Sequence, residues 1–215
     1  MEPNFRLSEA IVLAGGKSTR MGEDKALLPI GGRSLLAKLT MELRALGLQV
    51  TVAAGSEERA EAYRGELSAL DIEGGRIRFV NDAYPDCGPM AGLHAALTAN
   101  LNGGDAGYAF VIACDMPNLS AAYVARLAAQ IGSANEEAAA FVGALRQPFH
   151  ALYHTRALPA LVAHLSAGRY RMMGLLDDLQ CIFVEPQGAS EEAAFINVNT
   201  PGAYRRFLAS EIEGT

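Results

Sequence analysis

Apolar and polar positions follow two different periodicities along the chain. Short apolar runs are typical of buried strands, whereas longer segments with apolar residues three and four positions apart are typical of helices. In Ser34–Leu46, for example, leucines recur at helical spacing and predict one buried helix face. The runs predict strands over Ala10–Ala14, Gln49–Ala54, Arg76–Val80, Tyr108–Ala113, Ala138–Val142, His150–Tyr153 and Cys181–Val184. The amphipathic segments predict helices over Ser34–Leu46, Glu57–Leu70, Met90–Leu101, Ala121–Ile131, Arg156–Leu165, Met172–Leu179 and Pro201–Ala209.

This alternation predicts an α/β fold with a mostly parallel, Rossmann-like sheet that is flanked by helices on both faces. The regular order breaks near residue 143, where Leu145–Tyr153 has the pattern of a hairpin or an insertion. No linker, internal repeat or low-complexity stretch divides the chain, so we expect residues 1–215 to form a single domain. In such sheets ligands bind at the carboxyl ends of the strands.

The segment after the first predicted strand is the most informative motif, LAGGKSTRMGEDK at residues 13–25. Its glycines allow backbone N–H groups to approach a phosphate closely. Three cations, Lys17, Arg20 and Lys25, stand within nine residues of a chain that is acidic overall. The segment therefore predicts a nucleotide-phosphate loop, the alternative being an ordinary turn with solvated charges.

The spacing of this loop excludes the two commonest phosphate-binding motifs. A P-loop requires a glycine where Ile11 stands, and the dinucleotide pattern G-x-G-x-x-G does not match glycines at positions 15, 16 and 22. Both motifs are therefore excluded for this loop by spacing, and an ordinary glycine-rich turn with solvated charges remains the alternative to a nucleotide loop.

Carboxylate and amide side chains follow two further predicted strands. Asp115 in the run ACDMP ends an apolar strand, where a carboxylate is well placed to ligate Mg²⁺. In the run FINVNTP, residues 195–201, apolar and polar residues alternate as in a strand, so that Asn197 and Asn199 would share one face. An amide oxygen is a fair Mg²⁺ ligand. The alternatives are a turn aspartate and structural asparagines at a strand–helix junction.

A third segment pairs Asp82 with the run CGPMAG, which opens the predicted helix Met90–Leu101. A helix N-terminus offers free N–H groups and the positive end of the helix dipole, which suit a nucleotide. Asp82 is able to accept a hydrogen bond from a base N–H or a ribose hydroxyl, the alternative being a surface turn aspartate.

Composition narrows the class of protein. The net charge of −6 argues against nucleic-acid binding, which requires a basic face. No apolar stretch has the length of a membrane span, and the N-terminus lacks the layout of a signal peptide. Three cysteines without C-x-x-C spacing indicate reduced thiols rather than a zinc site. We therefore expect a cytoplasmic protein without membrane or nucleic-acid partners.

Together the motifs LAGGKSTRMGEDK, D-x5-GPMAG, ACDMP and FINVNTP resemble those of the molybdenum cofactor guanylyltransferase family, within the nucleotide-diphospho-sugar-type nucleotidyltransferases. They occur in the family's order and span nearly the whole chain. The resemblance implies transfer of GMP from GTP to the terminal phosphate of molybdopterin that carries molybdenum, with Mg²⁺ present and pyrophosphate leaving. It also implies a nucleotide-binding half over about residues 8–135 and a half for the pterin cofactor over about residues 136–210.

The resemblance implies roles for particular residues. The predicted nucleotide-binding residues are Leu13, Ala14, Gly15, Gly16, Lys25, Asp82, Gly88, Gly92 and Asp115. The predicted catalytic residues are Arg20, Lys25 and Asp115, with Asp115 as the Mg²⁺ ligand. The predicted residues on the molybdopterin side are Arg146, His150, Arg171, Asn197 and Asn199. Two positions depart from the family pattern, since Gly55 stands where some members have a nucleotide-contacting asparagine and Tyr170 where an additional arginine can occur.

Three other functions stay open at this point. A cytidylyltransferase that acts on the same pterin is the nearest, although LAGG and GPMAG both favour guanine. A sugar-1-phosphate nucleotidylyltransferase is disfavoured because the chain is short and ends at the helix after NVNTP. A non-catalytic cofactor carrier would not need the predicted metal site. For the enzyme we expect a monomer, in transient contact with cofactor-delivery proteins or apo-molybdoenzymes.

Overall fold

The computed structural model describes residues 7–16, 24–104, 107–131, 140–143 and 146–213. The strands are β1 (Glu9–Leu13), β2 (Pro29–Ile30), β3 (Arg33–Ser34), β4 (Gln49–Gly55), β5 (Ile77–Asn81), β6 (Tyr108–Ala113), β7 (Ala140–Gly143), β8 (Gln147–His154) and β9 (Cys181–Phe183). The α-helices are α1 (Leu35–Ala45), α2 (Glu57–Arg64), α3 (Ala69–Glu73), α4 (Pro89–Asn102), α5 (Ala121–Ala128), α6 (Leu158–Ser166), α7 (Met172–Asp178), α8 (Gly188–Glu192) and α9 (Pro201–Glu213). Short 3-10 helices lie at Lys25–Leu27, Thr155–Ala157 and Ala193–Phe195.

Seven strands form the main sheet in the order β5-β4-β1-β6-β8-β7-β9. All ladders of this sheet in the described residues are parallel except the two that β8 makes with β6 and β7. The predicted α/β class with a mostly parallel sheet is confirmed, and β7 and β8 form the hairpin expected where the regular order breaks. In the same described ranges no helix is both long enough and apolar enough to cross a bilayer.

Helices cover both faces of the sheet, as the alternation predicts. Successive residues of β1 point to opposite faces, so Ala10 and Val12 pack with α1, α2, α5 and α9. Ile11 and Leu13 pack instead with α4, α6 and α7. All residues of β1 are buried between these two layers. The glycine loop begins at the carboxyl end of this strand.

Two predicted elements are wrong in the structure. The predicted helix Glu57–Leu70 is divided into α2 and α3, because Gly65 ends α2 and Ser68 begins α3 by accepting a hydrogen bond from the Asp71 N–H. The segment Phe195–Thr200 pairs with no strand among the described residues. Residues 196–200 follow the 3-10 helix Ala193–Phe195, whose Phe195 ring packs against His150 of β8. The Val198 side chain is buried in the core, and its N–H donates to Asp115 O at 2.7 Å.

A buried polar cluster ties the first strands to α4 at the end of the sheet that lies away from the glycine loop. The Arg78 guanidinium donates to Glu9 Oε2 at 2.8 Å, to Asn100 Oδ1 at 2.7 Å and to Thr51 Oγ1 at 2.7 Å. Glu9, Thr51 and Asn100 are each at most 3 % exposed. Since a buried carboxylate is tolerated when a cation and hydrogen bonds compensate its lost hydration, Arg78 stabilises three neighbouring elements at once.

We expect Arg78→Met to lower the free energy of unfolding by about 3 kcal/mol, because it removes the ion pair between the Arg78 guanidinium and the buried Glu9 carboxylate. Urea unfolding at neutral pH measures this as a lower midpoint with an unchanged slope. Arg76→Met is the matched control, since Arg76 pairs with Asp71 on the surface and its loss is expected to cost less than about 1 kcal/mol. Equal effects of the two substitutions would contradict the interpretation.

Candidate functional site

One cavity opens at the carboxyl ends of β1, β4 and β6 and encloses about 190 Å³. All nine residues predicted to bind a nucleotide line it, together with seven others. Within the part of the chain that the structure describes, the lining is Leu13, Ala14, Gly15, Gly16, Asp24, Lys25, Ala26, Ala53, Asp82, Gly88, Pro89, Gly92, Ala113, Cys114, Asp115 and Phe149. Residues far apart in the sequence meet here because parallel strands end at the same edge of a sheet.

Two loops approach each other closely beside this cavity. A β-carbon added to Gly15 would lie 3.2 Å from Gly55 Cα, and one added to Gly55 would lie 3.1 Å from Gly15 Cα. Gly55 also has a φ of +84°, which side chains rarely permit. A side chain at position 55 would therefore be strained and crowded against Gly15.

The N-terminus of α4 forms another wall of the cavity. Gly88 precedes it with φ 68° and ψ −156°, a conformation that only glycine adopts easily. A β-carbon on Gly92 would lie 3.1 Å from Ala53 Cβ and 3.3 Å from Leu13 Cδ2. The two glycines of GPMAG thus have different tasks, since Gly88 turns the chain into the helix and Gly92 lets the helix pack against the strand ends.

Lys25 and Asp115 form an ion pair at the cavity wall, with Nζ 3.2 Å from Oδ2. Lys25 begins the 3-10 helix Lys25–Leu27, and Asp24 caps that helix by accepting from the Ala26 N–H at 3.0 Å. Asp115 follows β6 in a turn. The side chains of Lys25 and Asp115 are 21 % and 26 % exposed, so both charges remain accessible to a ligand.

Helix α2 supports the glycine loop through residues for which the sequence analysis proposed no role. Arg59 Nη1 donates to Gly15 O at 2.7 Å, and its Nε lies 3.7 Å from Asp24 Oδ2. The Tyr63 hydroxyl lies 2.7 Å from Asp24 Oδ2 and 3.1 Å from Ala14 O. Burial and the neighbouring Asp24 carboxylate raise the pKa of Tyr63, so its hydroxyl stays protonated as a donor. Only the i,i+4 spacing of Arg59 and Tyr63 on one helix face hinted at a shared contact.

Asp82 lies deeper in the cavity, against Gly55 and Gly92. Its backbone N–H donates to Gly55 O at 3.3 Å, while no donor among the described residues reaches the buried Oδ1. Burial raises the pKa of Asp82 to about 6, and the nearby Arg59 partly offsets this. A buried carboxylate oxygen without a protein partner is a strong acceptor for a ligand N–H or O–H.

The residues predicted on the molybdopterin side do not line the cavity. Arg146 is paired with Asp177 on α7 through Nη2 and Oδ1. His150 is completely buried and has no surface for a ligand. Arg171 is exposed at the start of α7. Arg20, which was predicted to be catalytic, lies outside the described residues, as does Lys17.

Asn197 and Asn199 flank Val198, whose N–H donates to Asp115 O. Both asparagines are half-buried, although the strand predicted for them is absent from the described residues. The structure therefore brings this segment beside Asp115 through the Val198 backbone bond, and not through the expected strand pairing.

The segment before α7 contacts the nucleotide side of the molecule through Tyr170. The Cys87 thiol, one residue before Gly88, interacts with the Tyr170 hydroxyl and raises its pKa. The Gly168–Arg171 segment thus lies near the N-terminal end of α4.

The donor set at Asp115 fits a magnesium ion that arrives with a nucleotide. The described residues contain no group of three or more His, Cys, Asp or Glu side chains able to hold a metal ion by themselves. Mg²⁺ commonly binds through one or two carboxylates, with phosphate oxygens and water completing its octahedron. A single accessible carboxylate at the cavity wall matches this requirement and does not match a structural zinc site.

Comparison with known proteins identifies a family model and curated relatives that match most of the chain. Residues 10–181 match the family described as MobA-like NTP transferase domain. A molybdenum cofactor guanylyltransferase from Xanthomonas euvesicatoria is 35% identical over 200 residues, which cover 92% of this chain and 93% of the relative. The enzyme of the same name from Serratia proteamaculans is 36% identical over 192 residues and 88% of each chain.

A solved structure supports the same fold. The molybdopterin-guanine dinucleotide biosynthesis protein A from Archaeoglobus fulgidus superimposes with a TM-score of 0.74 at 21% identity, over 94% of this chain and 99% of that chain. The match over residues 10–181 and the two relatives above 30% identity agree with the motifs around the cavity. The chain belongs to the MobA-like NTP transferase family.

Proposed function

We propose that this protein transfers GMP from GTP to the terminal phosphate of molybdenum-bearing molybdopterin and releases pyrophosphate. The observation that carries the proposal is the joint lining of one cavity by the loop of LAGG, Asp82, GPMAG and the Lys25–Asp115 pair. The names of the Xanthomonas and Serratia relatives support the same reaction. The enzyme is proposed to act as a cytoplasmic monomer, with a nucleotide-binding half over about residues 8–135 and a cofactor half over about residues 136–210.

The base is proposed to bind at Asp82 and the triphosphate at Lys25 and Asp115. Guanine presents two adjacent donors, N1–H and the N2 amino group, which match the two oxygens of one carboxylate. Cytosine has an acceptor at the position next to its amino group and matches a carboxylate less well. The buried Oδ1 of Asp82, which no donor among the described residues reaches, supports this assignment, because a guanine donor would satisfy it.

The chain's own residues then orient and neutralise the reacting groups. A terminal phosphate oxygen of the pterin attacks the α-phosphorus in line, the bond from that phosphorus to the bridging α–β oxygen breaks, and pyrophosphate leaves. Lys25 offsets negative charge on the triphosphate, and Asp115 would hold Mg²⁺. Bound Mg²⁺ supplies electrostatic stabilisation of the phosphate oxygens. The attacking phosphate is already ionised at neutral pH, so no side chain has to remove a proton.

The pterin substrate is proposed to approach from the side of Asn197, Asn199 and the Gly168–Arg171 segment. The bond from Val198 N to Asp115 O keeps the two asparagines beside the metal ligand. Arg146 and His150 are proposed as indirect supports on this side, because the first is paired with Asp177 and the second is buried.

We expect pyrophosphate release with GTP, and not with CTP, ATP or UTP, when molybdate-loaded molybdopterin and Mg²⁺ are present. The measurement is a coupled pyrophosphate assay with each nucleotide in turn. A preference for CTP would keep the site and overturn the base assignment. Tight nucleotide binding without any release would favour a cofactor carrier.

Asp115→Ala and Asp115→Asn are expected to lower kcat by at least about 100-fold, because each removes the proposed metal-binding charge. GTP affinity measured by calorimetry should change far less, since the base and most of the nucleotide contacts remain. Single-turnover pyrophosphate release separates the two effects. An Asp115→Ala enzyme with normal kcat would show that Asp115 is not the metal ligand.

Asp82→Asn is expected to stabilise the free protein and to weaken GTP binding. Because burial raises the pKa of Asp82 to about 6, the ionised carboxylate destabilises the folded state at higher pH, where the variant should melt a few degrees higher. This advantage should shrink as pH falls from 6 and vanish once the pH lies well below 3.8, where the carboxyl is protonated in both the folded and unfolded states.

The same pKa predicts how GTP binding depends on pH. Wild-type affinity should fall relative to that of Asp82→Asn as pH drops through about 6, since protonation removes an acceptor. The phosphates of GTP change protonation in the same way with the wild type and with Asp82→Asn. The ratio of the two dissociation constants therefore reports only the protonation of Asp82. A ratio that is constant from pH 5 to 8 would contradict a base contact by the ionised carboxylate.

A further inference from the structure

The turn that carries Asp115 is held by three elements from outside it. β6 ends at Ala113, and Asp115 lies beyond the last residue pair of the sheet, in a segment without regular structure up to Ser120. Three backbone carbonyls of this segment each accept a bond from a distant residue. The bonds run from Val198 N to Asp115 O at 2.7 Å, from Lys38 Nζ to Pro117 O at 2.8 Å, and between His150 Nε2 and Asn118 O at 2.9 Å.

His150 makes its contact from an unusual backbone conformation. Its φ is +55°, in the left-handed region that β-strand residues rarely adopt, and it follows Phe149, which lines the cavity. The pairing of β8 with β6 stops at Ala151, the next residue. The kink at His150 therefore ends the ladder where the strand contacts the cavity on one side and the Asp115 turn on the other, a place where strain is commonly retained for function.

The chemistry of the His150 contact fixes its direction. A carbonyl oxygen only accepts, so Nε2 must carry the hydrogen and donate to Asn118 O. Burial lowers the pKa of His150 to about 4, so the ring is neutral at physiological pH. The ring also packs edge-on against Phe110 of β6, which keeps the donor aimed at the turn.

Lys38 contributes from the opposite direction. It lies on α1, and besides Pro117 O its ammonium contacts Glu42 Oε1 at 2.7 Å. The Asn118 side chain adds a bond to Ala193 O at 3.0 Å, before the segment that carries Val198. Together these contacts attach the turn to α1, to β8 and to the segment before α9.

We propose that His150 and Lys38 are positioning residues for the transfer reaction, which hold the Asp115 turn so that its carboxylate stays within reach of Lys25 and of the nucleotide-borne cation. This inference rests on the proposed function, in which Asp115 ligates Mg²⁺. Neither side chain touches substrate. Each acts through a backbone carbonyl of the turn, at Asn118 for His150 and at Pro117 for Lys38.

The test compares His150→Leu with His150→Gln. Both replacements are unbranched at Cβ and experience the same backbone strain at φ +55°, but only glutamine keeps an N–H donor near the position of Nε2. The readouts are Mn²⁺ affinity by electron paramagnetic resonance with a non-hydrolysable GTP analogue bound, GTP affinity by calorimetry, kcat, and thermal unfolding.

We expect His150→Leu to weaken Mn²⁺ binding and to lower kcat by about 10-fold each, the usual range for residues that orient a metal ligand. GTP affinity in the absence of metal should stay unchanged, and His150→Gln should recover most of both losses. Lys38→Met should shift Mn²⁺ affinity in the same direction by a smaller factor. Its control is Glu42→Gln, which removes a partner of the Lys38 ammonium but no bond to the turn and should bind Mn²⁺ as the wild type does.

Normal Mn²⁺ affinity in both His150→Leu and Lys38→Met would overturn the proposal. Equal losses in His150→Leu and His150→Gln would also overturn it, because they would indicate a packing role without the hydrogen bond. If His150→Leu does not fold, the Lys38→Met and Glu42→Gln pair decides the question. A wrong base assignment would appear only in the nucleotide assay, whereas a wrong positioning role would appear in the Mn²⁺ titration.

Discussion

The contact between the Lys25 ammonium and the Asp115 carboxylate, 3.2 Å apart, is the interaction around which the site is built. Neither residue lies on the sheet, so the sheet alone does not define their separation. Asp24 caps the short helix that begins at Lys25, and Arg59 and Tyr63 on α2 hold Asp24 in turn. On the other side, bonds from three elements hold the Asp115 turn. In a half-buried cleft such a pair is strong enough to matter and accessible enough to exchange partners with an incoming phosphate.

Around this pair the protein retains features that lower its own stability. Asp82 is ionised above pH 6 in surroundings that disfavour its charge, and His150 adopts a left-handed backbone conformation. Both features lie beside the cavity, whereas the Arg78 cluster at the other end of the strands compensates its buried carboxylate with a cation. Buried polar groups thus have protein partners where they support the sheet. Beside the cavity, polar groups remain available for hydrogen bonds with a ligand.

Some contacts of the site were beyond the sequence, because local patterns do not report what a segment meets in three dimensions. FINVNTP alternates like a strand, yet among the described residues it pairs with no strand and joins the Asp115 turn through the bond from Val198 N to Asp115 O. The family resemblance assigned His150 to the pterin side, and the structure adds that the kink in β8 turns its buried ring inward to Asn118 O. Arg59 and Tyr63 carried no motif at all, and their contact with the glycine loop depends on how α2 packs beside β4.

From the sequence alone the fold class and part of the cavity lining could be predicted. Hydrophobic periodicity reports burial directly, so β1 and α4 were predictable. The family resemblance of the motifs supplied nine of the residues that line the cavity. Only the packing of whole elements established which side chains support that lining, such as Lys38 on Pro117 O or Arg59 on Gly15 O. The physical reason is that these contacts join residues tens of positions apart through the direction of individual side chains, and direction depends on the packing of whole elements rather than on any local pattern.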